Sequence, residues 1–228
     1  TRLQLAAALH TLSADRSLLA GVLTRVGEKA FCAGADLATD ASDLKPDLSE
    51  PTAPYANLLR RMHAVPVPLI ARVNGACLAG GVGLVAMCDM AVAADHARFG
   101  APEVKVGLFA MQVYSALQHI VPAKILFEWC VTGDAVDAAT AFTAGLVNRV
   151  VPMAKLDAAT EALLARVVDK SPLAVRRGKH AIRAVAPMDF SDSLTFMEAQ
   201  IALLASSDDA KEGIAAFREK HPARWVGR

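Results

Sequence analysis

One carboxylate and two glycine-rich bends are the residues of this chain whose types and spacing suit chemistry. Glu103 follows Pro102, whose fixed φ holds the entry to the next segment, and Phe99, Val104 and Val106 make the surrounding run apolar. A carboxyl in such a run is poorly solvated. Desolvation raises a glutamate pKa, which lets the group exchange a proton near neutral pH. The plainer reading is a part-exposed carboxylate paired with Lys105 or an arginine, and the local sequence leaves both open. The bends are Ala79-Gly80-Gly81, at the start of a buried apolar helix, and Ala33-Gly34-Ala35, after a buried strand. The first N–H groups of a helix lack intrahelical partners and carry the positive end of its dipole. Two strand ends, each finishing in a bend with a free amide, could aim two donors at one oxygen and receive a developing negative charge there. Glycines that merely let a helix pack closely on a sheet are the structural alternative.

Periodicity supplies the elements that must position these groups. A helix is expected over residues 3–14, a strand over 18–26, a turn over 31–37 and a helix over 56–63. Between them, residues 39–54 are rich in Asp, Ser and Pro and read as the least ordered stretch. The β-type run 68–73 turns at Asn74-Gly75 and leads to the central helix. Strands follow at 90–94 and 97–101, then helices at 111–120 and 123–131, separated at Pro122. Asp137 caps a helix over 138–144 that Gly145 stops. A strand at 147–151 and a helix at 155–170 come next, and Ser171-Pro172 opens another helix to residue 185. Helices over 191–204 and 209–220 carry apolar faces too large for a short arm to bury alone, which points to packing on another subunit.

Composition bounds the rest. The chain has 228 residues, 54% of them hydrophobic and only 5% aromatic, so Ala, Val and Leu must build one large core. A formal net charge of +1, with no basic run, gives no electrostatic footprint for nucleic acid or a membrane surface. Cys32, Cys77, Cys88 and Cys130 form no close metal-ligand pair, and the expectation is reduced, structural cysteines, no metal and a cytoplasmic protein. No run reaches the roughly 18 apolar residues of a membrane span, and the start lacks the features of a signal peptide.

In order and spacing, Phe31-Cys32-Ala33-Gly34-Ala35-Asp36-Leu37, Asn74-Gly75 through Gly80-Gly81, Met87-Cys88-Asp89, and Phe99-Gly100-Ala101-Pro102-Glu103 with Gly107 resemble the enoyl-CoA hydratase/isomerase (crotonase) superfamily. Asp209 through Phe217, with Lys220, look like that family's closing helix. The resemblance spans nearly the whole chain. It implies an α/β fold, a crotonase-like spiral of ββα units over residues 1–170, and a helical trimerisation region over 171–228. It also implies that an opening β-hairpin, which contributes to the sheet and the coenzyme A site, is absent from this chain. By the same resemblance the amides of Ala35 and Gly80 bind the thioester oxygen of an acyl-CoA as it becomes enolate-like, and Glu103 moves a proton at the α or γ carbon. Ala33, Ala35, Asp36 and Leu37 match the stretch whose backbone contacts coenzyme A, and Lys220 matches a basic residue that reaches its phosphates. Coenzyme A enters as part of the substrate, no other cofactor is implied, and the assembly is a homotrimer or a dimer of trimers.

The sequence departs from the family where hydratases carry a second glutamate, a position held here by Gly83. Asp89, six residues on, lies about 240° round an α-helix and does not replace it. Phe109-Ala110-Met111-Gln112-Val113-Tyr114 stands where the family has a glycine-rich run, so bulky residues are expected in space left open for water, Met111 among them. A lone carboxylate beside an oxyanion hole suffices to shift a β,γ double bond to α,β, since that needs removal and return of a proton and no water. Isomerisation is therefore the leading expectation, with hydration slow; the alternatives are an enoyl-CoA hydratase whose water is activated by another group and a non-catalytic acyl-CoA binder. Gly81-Val82-Gly83-Leu84-Val85-Ala86 imitates a dinucleotide fingerprint, but residues 74–80 separate it from the preceding strand.

Overall fold

The computed structural model describes residues 2–27, 29–34, 49 and 53–228. Helix α1 (Arg2–Ala14) leads to strand β1 (Gly21–Leu23), β2 (Ala30–Cys32) and helix α2 (Pro54–Ala64). The same order recurs as β3 (Leu69–Val73), β4 (Ala76–Leu78) and α3 (Gly80–Met87). It recurs again as β5 (Met90–Ala94), β6 (Arg98–Gly100), a 3-10 turn (Pro102–Val106) and α4 (Met111–Leu117). Helix α5 (Ala123–Thr132), β7 (Val136–Asp137), α6 (Ala138–Thr143), β8 (Arg149–Val151) and α7 (Leu156–Val168) complete the core. Helices α8 (Pro172–Val185), α9 (Phe190–Ala205) and α10 (Asp208–Glu219) follow.

From β1 to β6 successive strands alternate between two sheets, β1-β3-β5-β8 and β2-β4-β6-β7, and β7 stays beside β6 in the second before β8 closes the first. Every pairing is parallel except β6 with β7. Each turn of the chain thus adds one strand to each sheet before a helix returns it, and the expected spiral of ββα units is the result. Parallel strands must be covered on both faces. In β3, Ala71 and Val73 join a core with Phe99, Leu117 and Trp129, while Ile70 packs on the other side with Val92, Leu156 and Leu163 of β5 and α7. Leu9 of α1 meets Leu58 and Met62 of α2 over Leu69, with Leu5 and Leu12 packed against them.

Several expected bounds shift for physical reasons. The strand expected over 18–26 shrinks to Gly21–Leu23, because β1 is a sheet edge whose partner β3 offers five residues in all. Strands β2 and β4, short and built of Ala, Cys, Phe and Leu, lie where a turn and a helix onset were expected. The chain after α10 is not helical. It folds back: the buried Asp209 carboxylate accepts from the amides of Val226 at 2.8 Å and Gly227 at 2.9 Å and from Ser171 Oγ at 2.6 Å. The expected caps are present, with Asp137 accepting from the Thr140 amide, Ser171 from that of Ala174, and Gly145 at φ 85° ending α6.

Candidate active site

Register brings the chemistry together. Cys32 pairs with Cys77 and Cys77 with Phe99, so β2, β4 and β6 run side by side and leave the second sheet at the same end. Gly80 stands three residues beyond Cys77, and Glu103 four beyond Phe99. Ala35 stands three residues beyond Cys32, but with Asp36 and Leu37 it lies outside the described residues. The described part of its bend, Ala33-Gly34, is in place: Ala33 is exposed, and Gly34 turns with φ 96°. A Cβ on Gly34 would lie 2.8 Å from that of Ala79, so the exits of β2 and β4 meet.

Ala79 is the residue that aims the second exit. Its φ of 50° and ψ of −129° are uncommon for alanine and cost on the order of 1–3 kcal/mol, a strain that persists only where surroundings enforce it. Here its N–H bonds the Gly100 carbonyl at 2.9 Å and its own carbonyl accepts from Val82 at 3.0 Å. The next residue, Gly80, opens α3, where its N–H has no intrahelical acceptor. The chain direction set at Ala79 was not legible beforehand, since nothing in an alanine announces a positive φ.

Glu103 sits on the 3-10 turn, with Pro102 at its start and Gly107 closing it at φ 77°. The Leu108 amide bonds the Glu103 carbonyl at 3.1 Å. Oε2 of Glu103 is buried and, among the described residues, has no hydrogen-bond partner. Burial raises the carboxyl above its ordinary value, opposed in part by a hydrogen bond from its own backbone. The alternative pairing with Lys105 does not form, because that ammonium binds Asp134 at 2.9 Å.

Other candidates are placed elsewhere. Asp89 is held by Lys179 at 2.5 Å, Arg183 at 3.1 Å and the Leu69 amide at 2.7 Å, which makes it an anchor for α8 and removes it as a second acid. Lys220, exposed, caps α10 in the left-handed conformation. Among the described residues no hydrogen bond or ion pair ties it to Glu103 or Gly80. Of the bulky run 109–114, Val113 reaches the space beside Gly83, 3.7 Å from where a Cβ there would lie, whereas Met111 is 67% exposed. Tyr55 of α2 fills the rest of that space, its hydroxyl donating to the Gly80 carbonyl at 2.6 Å. Gln112 is exposed, and Tyr114 packs against the core. The dinucleotide motif is covered too: Gly81 abuts the Cys32 backbone and Gly83 lies under Tyr55. Among the described residues no group of three His, Cys, Asp or Glu side chains could hold a metal ion, and no helix is long and apolar enough to cross a membrane.

The family model for enoyl-CoA hydratase/isomerase matches residues 1–228. The chain is 38% identical over 226 residues to a putative enoyl-CoA hydratase of Thermus thermophilus, covering 98% of this chain and 89% of that protein. It is 31% identical over 229 residues to the crotonyl-CoA hydratase of Syntrophomonas wolfei, covering 100% and 88%. The crystal structure of an enoyl-CoA hydratase from Mycobacterium smegmatis superposes with a TM-score of 0.90 at 37% identity, covering 98% of this chain and 87% of that one.

Proposed function

The chain belongs to the enoyl-CoA hydratase/isomerase (crotonase) superfamily and is an acyl-CoA-processing enzyme of it, and from that premise we propose that it forms the enolate of an acyl-CoA thioester with Glu103 as its acid/base group. The observation that carries this reading is the buried, unpartnered Oε2 of Glu103 at the sheet end from which Gly80 opens α3. The amides of Gly80 and Ala35 hold the thioester oxygen. Charge moving onto that oxygen acidifies the α C–H, and Glu103 takes the proton. Returning it at the γ carbon moves the double bond from β,γ to α,β, which consumes no water and regenerates the carboxylate. Ala33, Ala35, Asp36 and Leu37 contact the coenzyme A moiety, and Lys220 its phosphates.

The test is direct. A 3-enoyl-CoA is expected to be converted to the 2-enoyl-CoA, and coenzyme A thioesters to bind in a titration in which NAD does not. Thioester binding with neither isomerisation nor α-proton exchange would favour the non-catalytic binder, and NAD binding alone would remove the reading. The names of the relatives favour hydration over isomerisation, and hydration is the second reading. It requires a group that holds water.

Residues 171–228 serve, on this reading, as the oligomerisation region of a homotrimer or a dimer of trimers. On the single chain Ile182 is 66% exposed, Phe190 81%, Ile201 63% and Phe217 87%, a set of apolar side chains on α8, α9 and α10 that a partner subunit would cover. Light scattering should give a trimer or hexamer, and a monodisperse monomer would overturn this assignment. The four free thiols fit a reducing, cytoplasmic compartment.

A further inference from the structure

Among the described residues, Tyr55 is a polar side chain near the site to which the mechanism above gives no task. It is the second residue of α2, after Pro54, and it is half-buried. Its ring lies over the opening of α3: a Cβ on Gly80 would meet ring carbons at 3.3 Å, and a Cβ on Gly83 would run into the hydroxyl oxygen itself. Positions 80 and 83 are one helical turn apart, on one face, and a single phenol covers both. The hydroxyl hydrogen is committed to the Gly80 carbonyl at 2.6 Å. A phenolic oxygen that donates once still accepts.

Addition of water to a 2-enoyl thioester sets a requirement that isomerisation does not. The water must be held by both hydrogens, so that a lone pair faces the β carbon. Glu103 can take one hydrogen, and Gly83 offers no side chain for the other. We propose that the Tyr55 hydroxyl oxygen accepts that second hydrogen, making Tyr55 the water-positioning residue for a hydration that proceeds beside isomerisation at the same site. The water oxygen bonds to the β carbon, one O–H bond breaks and its proton goes to Glu103. The π electrons pass to the thioester oxygen, and Glu103 returns the proton to the α carbon. One water is added, the carboxylate is regenerated and Tyr55 keeps its own proton throughout. Retention fits the surroundings: burial above all, then Cys32, Cys77 and the Glu103 charge, pushes the phenol well above its ordinary value.

This inference rests on Glu103 as the proton-transfer group, and one experiment separates the two. Hydration of a 2-enoyl-CoA and solvent exchange of the α-protons of a saturated acyl-CoA are measured for the unmodified protein, Tyr55→Phe and Gly83→Ala. Phe keeps the ring and loses the oxygen, whereas the methyl added at 83 displaces the hydroxyl without deleting it. In both variants the ratio of hydration to exchange should fall by about 10- to 100-fold, the scale of one lost hydrogen bond to a reacting group. A parallel fall of both rates would show that Tyr55 acts only by seating Gly80, and an unchanged ratio, or no hydration by the unmodified protein, would likewise overturn the proposal. Failure of the Glu103 reading has a different signature, exchange that survives Glu103→Gln.

Discussion

Glu103→Gln is expected to lower α-proton exchange and double-bond isomerisation by at least about 10²–10⁴-fold, the usual contribution of a positioned general base, while leaving acyl-CoA affinity within a small factor of the original. The amide keeps the shape of the carboxyl and the backbone of the 3-10 turn, which Pro102 and Gly107 fix independently of the side chain. It cannot carry a proton. Stability should move the other way. Burial raises the folded-state pKa of Glu103 above its unfolded value, so the folded protein binds more protons in that window. Stability contributed by the protonated form is present at low pH and lost as pH rises from the ordinary carboxylate range through the raised value. At neutral pH the buried Oε2 of the ionised group has no partner, and the neutral amide removes that burden. Thermal denaturation at pH 7 should find the variant at least as stable as the unmodified protein, with the gap closing on acidification. Full exchange activity in Glu103→Gln would end its assignment. A large stability loss at pH 7 would show that the carboxylate has a structural partner.

How much of this was legible in the sequence follows from where each signal resides. Glu103 and Gly80 were legible locally only as candidates, one as a carboxylate in an apolar run after proline, the other as a small residue at a helix start, and the family resemblance supplied their roles. Met90–Ala94 and Pro172–Val185 took the bounds that sequence gives them, since a continuous apolar run and a Ser-Pro cap are local instructions. Nothing local marks Tyr55: it lies 25 residues from the carbonyl it binds, and a tyrosine near a helix start reads as packing. The short strands β2 and β4 escaped for the same reason. Their residues have no two-residue alternation, and they are strands because parallel neighbours in the second sheet pair them. What periodicity missed was therefore the part of the site made by non-adjacent segments meeting, including the strained turn at Ala79.

Gly81→Ala is the substitution whose overlap the structure can least relieve. A Cβ at 81 would lie 2.5 Å from the Cys32 carbonyl oxygen, 2.8 Å from the Cys32 Cβ and 3.2 Å from the carbonyl carbon. Two of those three atoms are backbone, so no rotamer change relieves the overlap. Strand β2 cannot give way freely, because it is paired with β4 through Ala30 with Ala76 and Cys32 with Cys77. Helix α3 must then move off β2. Crowding of this kind in a packed core costs about 1–3 kcal/mol, which should appear as a lower midpoint in thermal denaturation. The larger effect is on turnover. Gly80, the neighbouring residue and first of α3, carries the donor assigned to the thioester oxygen, and a displaced oxyanion donor lowers the rate by about 10²–10³-fold. Isomerisation and α-proton exchange should both fall by that order at a temperature where the variant is folded. A variant as active and as stable as the unmodified protein would show that α3 is not seated on the Cys32 backbone, and the placement of the Gly80 donor would fall with it.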